Sequence, residues 1–201
     1  MDKTLQSNLL IRSQRKPILL ARGMGWGFLG GLAGTIVMDI LLMGALSIFG
    51  MPALTCFSIV GDTVARFLSM LDMQVTDSIP TGVVTHYLVG PLFGVIFGAA
   101  VVIFPALRNG TLKKITIAAM LYVEILSQPI LVTTPILLKM TTPEMLQWFG
   151  GSFVMHFILA IVLGAIVGCG LHSEPLATCM PSDSTRSFIH RILPGNPEGR
   201  I

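Results

Sequence analysis

Two stretches of this chain carry the same pattern of one histidine followed by small residues. Residues 82–98 read GVVTHYLVGPLFGVIFG, and residues 152–168 read SFVMHFILAIVLGAIVG. Aligned without a gap, His86 falls on His156. Small residues follow each histidine at four-residue steps: Gly90, Gly94 and Gly98 in the first copy, Ala160, Gly164 and Gly168 in the second. Because residues four apart share one face of a helix, each stretch predicts an apolar helix with a ridge of small residues.

An acidic residue precedes each histidine stretch, within another apolar run. Asp39 lies in MDILLMGAL, residues 38–46, and Glu124 lies in VEILSQPIL, residues 123–131. An acid-bearing helix followed by a histidine-bearing helix is therefore predicted twice. We interpret this order as a tandem duplication of a two-helix unit.

The composition places these helices in a membrane. Hydrophobic residues make up 53% of the chain and charged residues 11%, with a mean hydropathy of +0.80. A soluble globular chain carries about 25% charged residues. Four runs are long enough to cross a bilayer, at residues 24–49, 82–104, 115–139 and 150–171. Since lipid offers no partner to backbone polar groups, these runs must be helical.

The predicted fold class is therefore all-α. It is an integral membrane four-helix bundle built from a tandem two-helix repeat, together with an outer amphipathic interfacial helix. Two repeats that enter the membrane from the same side are related by a pseudo-two-fold axis along the membrane normal.

Basic residues indicate the orientation. Of 13 Lys and Arg residues, only Arg66 and Lys139 fall outside the segments that this topology puts on one side of the membrane. An excess of Lys and Arg marks the cytoplasmic side, so both termini are predicted to be cytoplasmic, in a cell (inner) membrane. The basic residues are dispersed among membrane-adjacent segments, so nucleic acid is not a predicted partner. The predicted partners are the lipid bilayer and either further copies of the chain or subunits of a membrane complex.

The chain divides into four predicted parts. Residues 1–22 form a basic cytoplasmic segment, residues 23–104 the first two-span repeat, residues 105–172 the second, and residues 173–201 a cytoplasmic tail. Within the tail, residues 184–193 have the pattern of one short amphipathic helix.

The outer connections carry further helix signals. Between the first two spans, Val60, Val64 and Phe67 recur at helical spacing among polar residues, which predicts an amphipathic helix on the outer surface. In the second repeat, the TPE stretch at residues 142–144 predicts a helix start. Trp148 then falls where an interfacial indole is expected.

The small residues predict close packing between helices, because in lipid they let backbones approach. The first span adds Gly27, Gly31 and Thr35, which lead at the same four-residue step to Asp39. Tight packing is the favoured interpretation of the glycines. The alternative is that they leave room for a flat cofactor.

The intramembrane acids are candidates for function, because a charge near the bilayer centre costs about 2.5–3.5 kcal/mol even on insertion scales. Ser127 and Gln128 share a helix face with Glu124. Pro129 cannot donate to the carbonyl one turn before it, and such a carbonyl could hold a cation or proton. The alternative is that Asp39 and Glu124 are neutral hydrogen-bonded contacts between helices.

The paired histidines admit three interpretations. They could ligate haem iron or a divalent metal, pass protons to the acids, or hydrogen bond between helices. The predicted polar centre comprises Asp39, Glu124, Gln128, His86 and His156, with the two histidines as the candidate cofactor ligands.

The expected depths separate these groups. His86 and His156 fall within about two turns of the outer ends of their predicted spans, whereas Asp39 falls roughly 15 Å below the outer end of its own. The sequence thus predicts an outer histidine layer above a deeper carboxylate layer.

The sequence contains no phosphate loop, metalloprotease helix, cysteine cluster or serine-histidine triad. Hydrolysis and nucleotide chemistry have no support, and no catalytic residue is predicted. The first hypothesis is a small membrane protein that handles protons or a cation, within a larger assembly. The alternatives are a haem- or metal-binding subunit and a purely structural accessory subunit.

Three stretches also resemble a known kind of protein. They are GGLAGTIVMD at residues 30–39, HYLVGPLFG at 86–94 and MHFILAIVLG at 155–164. Together they resemble the uncharacterised YagU-like proteins of the bacterial inner membrane, which combine a Gly-rich first span, a Thr-x-x-Met-Asp stretch and later spans with His and Gly. The resemblance implies an inner-membrane location. It also implies that Asp39, His86 and His156 correspond to the matching positions of that family.

Overall fold

The structure, a computed structural model, describes residues 3–75 and 78–172, with side chains from Pro17 onward. The tail, including the helix predicted at 184–193, lies outside the described residues. Within them, all regular secondary structure is helical. The helices are α1 (Lys3–Ile48), α2 (Thr55–Ser69), α3 (Ser78–Ile103), α4 (Pro105–Arg108), α5 (Leu112–Leu138) and α6 (Thr142–His172).

Four of these helices are long and apolar enough to cross a membrane: the part of α1 from Pro17 onward, α3, α5 and α6. Their outward surfaces are apolar, and Ile40, Leu88, Ile125 and Ile136 are each 64–70% exposed. This architecture confirms the predicted all-α fold class with four membrane-length helices. It indicates a multi-pass membrane protein.

All four long helices begin before the predicted spans, and α3 begins at Ser78 rather than residue 82. α6 begins at Thr142, where the TPE stretch predicts a helix start, and continues without a break into the span predicted from residue 150. At the start of α6, the Glu144 carboxylate accepts hydrogen bonds from the backbone N–H and the hydroxyl of Thr141, at 2.7 and 2.8 Å. These polar first turns satisfy helix N-terminal donors. They lie outside the apolar runs, so hydropathy alone does not include them.

α1 and α3 meet along a seam of glycines. A Cβ added at Gly23, Gly27 or Gly31 of α1 would overlap the carbonyl oxygens of Gly98, Gly94 and Gly90 of α3, respectively. The two backbones therefore touch without side chains between them, as small residues allow in lipid. We call these six residues the glycine seam.

The second pair of long helices, α5 and α6, packs in a related way. A Cβ added at Gly164 of α6 would lie 2.6 Å from the Cα of Thr116 of α5. The opposite side of α6 faces α1, where Gly30 makes room for Leu163. The buried core lies at these contacts and consists of Met38, Phe97, Val101, Ile115, Ala119, Val123, Leu159, Ala160, Leu163 and Val167.

The predicted outer amphipathic helix is present as α2. Its buried residues include Phe57, Val60 and Gly61, and a Cβ added at Gly61 would overlap the backbone of Ser78 at the start of α3. α2 also reaches α5, because Arg66 Nη1 donates to the carbonyl of Leu137 at 2.9 Å. The apolar face of α2 is thus covered by the outer parts of α3 and α5.

The two halves are not packed as a strict two-fold pair. A two-fold axis would make the contact between α3 and α5 resemble the contact between α1 and α6. Instead α1 packs extensively on α6, whereas α3 and α5 meet mainly through Tyr122, whose hydroxyl donates to the carbonyl of Phe93 at 3.0 Å, and α2 lies against both. The tandem repeat itself remains a prediction. The consequence for the site is a space in the outer part of the bundle, beneath α2.

Candidate functional site: an intramembrane acid–histidine pair beside a cavity

The structure brings Asp39 of α1 into contact with His86 of α3. His86 Nδ1 lies 3.1 Å from Asp39 Oδ1. The Asp39 side chain is 4% exposed and the His86 side chain 15%. The second carboxylate oxygen of Asp39 is buried and has no hydrogen-bond partner. An acid and a base therefore share one hydrogen bond inside the membrane-length part of the bundle.

This contact corrects the predicted separation into two layers. Asp39 lies nine residues before Ile48, the end of α1, and His86 lies eight residues after Ser78, the start of α3. At 1.5 Å per residue these positions are about 14 Å and 12 Å from the outer helix ends. The layered prediction was wrong because it started α3 four residues too late.

The glycine seam determines the position of this pair. One turn beyond Gly31, Thr35 lies against Gly90, and its hydroxyl donates to the carbonyl of Gly31 at 2.9 Å. Asp39 follows one turn further along the same face. The four-residue step that brings the backbones together in the series Gly27, Gly31, Thr35 and Asp39 thus carries the acid to the level of the histidine.

α2 completes the surroundings of His86. The ring of Phe57 meets the imidazole edge to face, with ring centroids 5.2 Å apart. The Cys56 thiol also lies within hydrogen-bonding reach of His86. Sequence reasoning missed both residues. The available signal was Gly61 in α2, because a small residue there allows α2 to pack closely on α3. That signal predicts the close packing but does not identify which α2 side chains reach His86.

His156 of α6 lies near the pair without bonding to it. It lines the same cavity as His86, close enough for the two imidazoles to interact electrostatically. Its Nδ1 is buried and has no hydrogen-bond partner. Most buried polar atoms are hydrogen-bonded, so this nitrogen is an exception among the buried atoms of the described residues.

The second acid, Glu124, occupies a different place from Asp39. Asp39 lies three turns beyond Gly27, which faces Gly94, whereas Glu124 lies only two turns beyond Thr116, which faces Gly164. One carboxylate oxygen of Glu124 is buried without a hydrogen-bond partner. The recurrence of the acid in the sequence therefore does not put the two acids at equivalent positions.

Gln128 also departs from the predicted polar centre. Its side chain is exposed on α5, and Nε2 donates to the carbonyl of Glu124 at 3.2 Å. Neither Gln128 nor Glu124 is hydrogen-bonded to Asp39, His86 or His156 among the contacts of the described chain. Of the five residues predicted to form one centre, the structure brings together Asp39, His86 and His156.

Trp148 lies partly inside the bundle rather than only at the interface. Its Nε1 donates to the carbonyl of Leu131 at 3.1 Å. Pro135 has no N–H to return to that carbonyl, which is one helical turn earlier. An indole of α6 thus replaces the backbone donor that α5 lacks, and it joins the two helices at the cavity wall.

A cavity of about 1110 Å³ occupies the half of the bundle that lies nearest α2. All the membrane-length helices and α2 contribute to its wall, which is mostly apolar. Its polar lining includes Thr35, Cys56, His86, Ser127 and His156. Across residues 17–75 and 78–172, no three His, Cys, Asp or Glu side chains are grouped so that they could hold a metal ion.

No protein-family model, curated protein or solved structure matches the chain. The functional argument therefore depends on the residues and their geometry.

Proposed function

We propose that the protein handles protons or a small cation in the membrane, with the Asp39–His86 pair as its central site. One observation carries the proposal: a buried carboxylate shares a 3.1 Å contact with an imidazole and keeps its second oxygen unpartnered. A hydrogen bond between an acid and a base can hold a proton on either partner. The unpartnered oxygen is where a second proton or a cation would bind.

The cavity supports a route from the outer side to this site. His86 forms part of the cavity wall, whereas Asp39 lies behind it. A proton that arrives through the cavity would meet an imidazole first and could pass along the 3.1 Å contact to the carboxylate. Histidine suits this role because its ordinary pKa is close to physiological pH.

A flux measurement in proteoliposomes tests the proposal. Purified protein is reconstituted with a pH-sensitive dye inside the vesicles, and a proton gradient or a cation gradient is imposed. We expect flux above that of empty vesicles. Asp39→Asn and His86→Gln should each reduce the flux about tenfold or more. Each change removes a titratable group, and the surrounding lipid supplies no other group that could bind the proton or cation.

Matched control variants distinguish the loss of a titratable group from a disturbance of the helix that carries it. Gly44→Ala changes the helix of Asp39 where an added Cβ meets nothing within 4 Å. Val84→Ala changes the helix of His86 at a side chain that is 57% exposed. Both controls should keep the parent flux. No flux in the parent, or full flux in Asp39→Asn, would contradict the proposal and favour a structural accessory subunit.

A second candidate function is a haem- or metal-binding subunit with His86 and His156 as ligands. Its specific support is the Asp39 contact, because a metal-bound histidine usually donates its other ring N–H to a carboxylate. The absorption spectrum and metal content of the purified protein test it. Colour or bound metal that disappears in both His86→Gln and His156→Gln would support this candidate, and colourless, metal-free protein would remove it.

The proposed setting is the inner membrane of a bacterium, with both termini in the cytoplasm, as the Lys and Arg distribution and the YagU-like resemblance imply. The described chain consists almost wholly of membrane-length helices, α2 and short connections. We therefore propose that it works as a subunit of a membrane complex or as a small homo-oligomer.

A further inference from the structure

The cavity is partly open to the surroundings of the bundle and is much larger than a packing void. Protein interiors have few voids larger than a water molecule, and ligand pockets commonly have volumes of about 300–1,000 Å³. This cavity measures about 1110 Å³. Apolar walls such as Leu42, Ile59, Val89, Phe93 and Leu159 do not hold ordered water. An apolar molecule is therefore its natural occupant.

The charge of the wall limits the polar end of that molecule. None of the described lining residues is Lys or Arg, and Glu144 at the outer end is the acid among them. A phosphate or carboxylate headgroup would find no cation in the wall that is not already paired with an acid, and it would also lie near Asp39, behind His86. An anionic amphiphile is thus disfavoured on both counts.

A cationic headgroup meets a different obstacle. One carboxylate oxygen of Asp39 is already hydrogen-bonded to His86, and the other oxygen is buried. A cationic headgroup in the cavity therefore has no exposed Asp39 oxygen to pair with. What the cavity wall offers near His86 is a group of hydrogen-bonding positions with no net charge, because one proton shared between Asp39 and His86 leaves that pair neutral. They are His86, the unpartnered His156 Nδ1, Cys56, Ser127 and Thr35.

We propose that the cavity is a binding site for a lipophilic molecule with an uncharged, hydrogen-bonding headgroup of the quinone class. The headgroup lies between His86 and His156, where Phe93 provides aromatic surface. The tail runs outward along the apolar wall toward Gly150 and Gly151. This inference goes beyond the proposed function and does not depend on proton flux.

Fluorescence quenching of Trp148 tests the site directly, because quinones quench indole emission and Trp148 lines the cavity. The chain has two tryptophans. The other, Trp26, packs over Gly170 at the inner end of α6 and is removed by Trp26→Phe. The probe is decyl-benzoquinone, titrated into the variant protein in phosphatidylcholine nanodiscs. We expect saturable quenching.

Two glycines provide a matched pair of blocking variants. A Cβ added at Gly151 or at Gly44 meets nothing within 4 Å, and of the two only Gly151 lines the cavity. Gly151→Phe should therefore weaken binding about tenfold or more, whereas Gly44→Phe should leave it unchanged. His156→Leu should weaken binding about tenfold through loss of one hydrogen bond. Circular dichroism checks that each variant is folded.

Competitors of the same chain length identify the headgroup. Decanoate, decyltrimethylammonium and decylbenzene should each displace the quinone poorly. Equal displacement by decylbenzene would show a space for lipid tails with no headgroup site, and displacement by either charged amphiphile would overturn the assignment of an uncharged headgroup. Quenching that does not saturate, or that is equal in Gly151→Phe and Gly44→Phe, would overturn the site itself. The assay contains no gradient, so its failure and the failure of the flux experiment are distinguishable.

Discussion

Asp39 and His86 depend on each other, because they form an acid–base hydrogen bond in the membrane-length part of the bundle. Asp39 is 3% exposed, and His86 is its partner at 3.1 Å. A buried polar group that loses its partner costs its full desolvation energy, whereas replacing both partners with apolar groups can be nearly neutral. The pair is therefore more sensitive to a single change than to a double one.

Replacing His86 with Leu should destabilise the protein by about 1–3 kcal/mol, since both oxygens of Asp39 are then unpartnered. Adding Asp39→Leu should recover most of that loss. Thermal unfolding in detergent, followed by circular dichroism, measures both changes. Equal losses in the single and double variants would show that packing, rather than the hydrogen bond, holds these helices.

The hydrogen bond between Trp148 and the Leu131 carbonyl should depend on Pro135. In Trp148→Phe the carbonyl has no donor, so we expect a loss of about 1–3 kcal/mol. In a Pro135→Ala background the backbone N–H returns, and the same tryptophan change should cost about 1 kcal/mol less. A double-mutant cycle of unfolding free energies measures this coupling. A coupling of zero would mean that the indole does not replace the missing donor.

For individual residues, the sequence was a better guide to the candidate functional side chains than to the contacts between them. Asp39 and His86 could be singled out because ionisable groups are rare in apolar runs. Their contact could not, because it depends on where α3 begins, and its first turn is polar. The position of Glu124 relative to Asp39 was also not predictable. An acid that recurs in the sequence does not determine the register of its helix against the neighbouring helix.

Among the elements, the glycine seam makes the strongest prediction. A Cβ at Gly27 would overlap the carbonyl oxygen of Gly94, whereas a Cβ at Gly25 meets nothing within 4 Å. Gly27→Ala should therefore destabilise the protein by about 3 kcal/mol through overpacking. Gly25→Ala, in the same helix, should be neutral or stabilising by up to about 1 kcal/mol.

Unfolding curves of the two alanine variants, measured side by side, decide this point. Both changes add one methyl group to α1, so helix propensity is the same in each. A tolerated Gly27→Ala would show that α1 and α3 can move apart without loss, which their backbone contact argues against.

The elements themselves followed from the sequence because apolar runs of membrane length can only be helical in lipid. The existence of α2 was also predictable from its apolar spacing. Its partner was not, because an amphipathic face shows that a surface is covered without showing what covers it. The hydrogen bond from Arg66 to the Leu137 carbonyl is a tertiary contact that no local pattern encodes.

For the whole molecule, the membrane orientation is open to a direct test. The positive-inside rule predicts Gln74, after α2, outside and Asn109, between α3 and α5, inside. Both residues are exposed. In a background with Cys56, Cys169 and Cys179 replaced by Ala, Gln74→Cys should react with an impermeant maleimide in intact cells. Asn109→Cys should react only after permeabilisation, and the reverse pattern would invert the topology.

The unequal packing of the two halves assigns them different mechanical roles. α1 and α3 touch backbone to backbone along the glycine seam, so no flexible side chain is present there to absorb a rotation or a small slide. α3 and α5, by contrast, meet mainly through the Tyr122 side chain. A movement between α3 and α5 would therefore leave the two-helix spine of α1 and α3 intact. Asp39 and His86 belong to that spine. A movement of the other helices would therefore change how accessible the pair is to solutes without separating the two side chains.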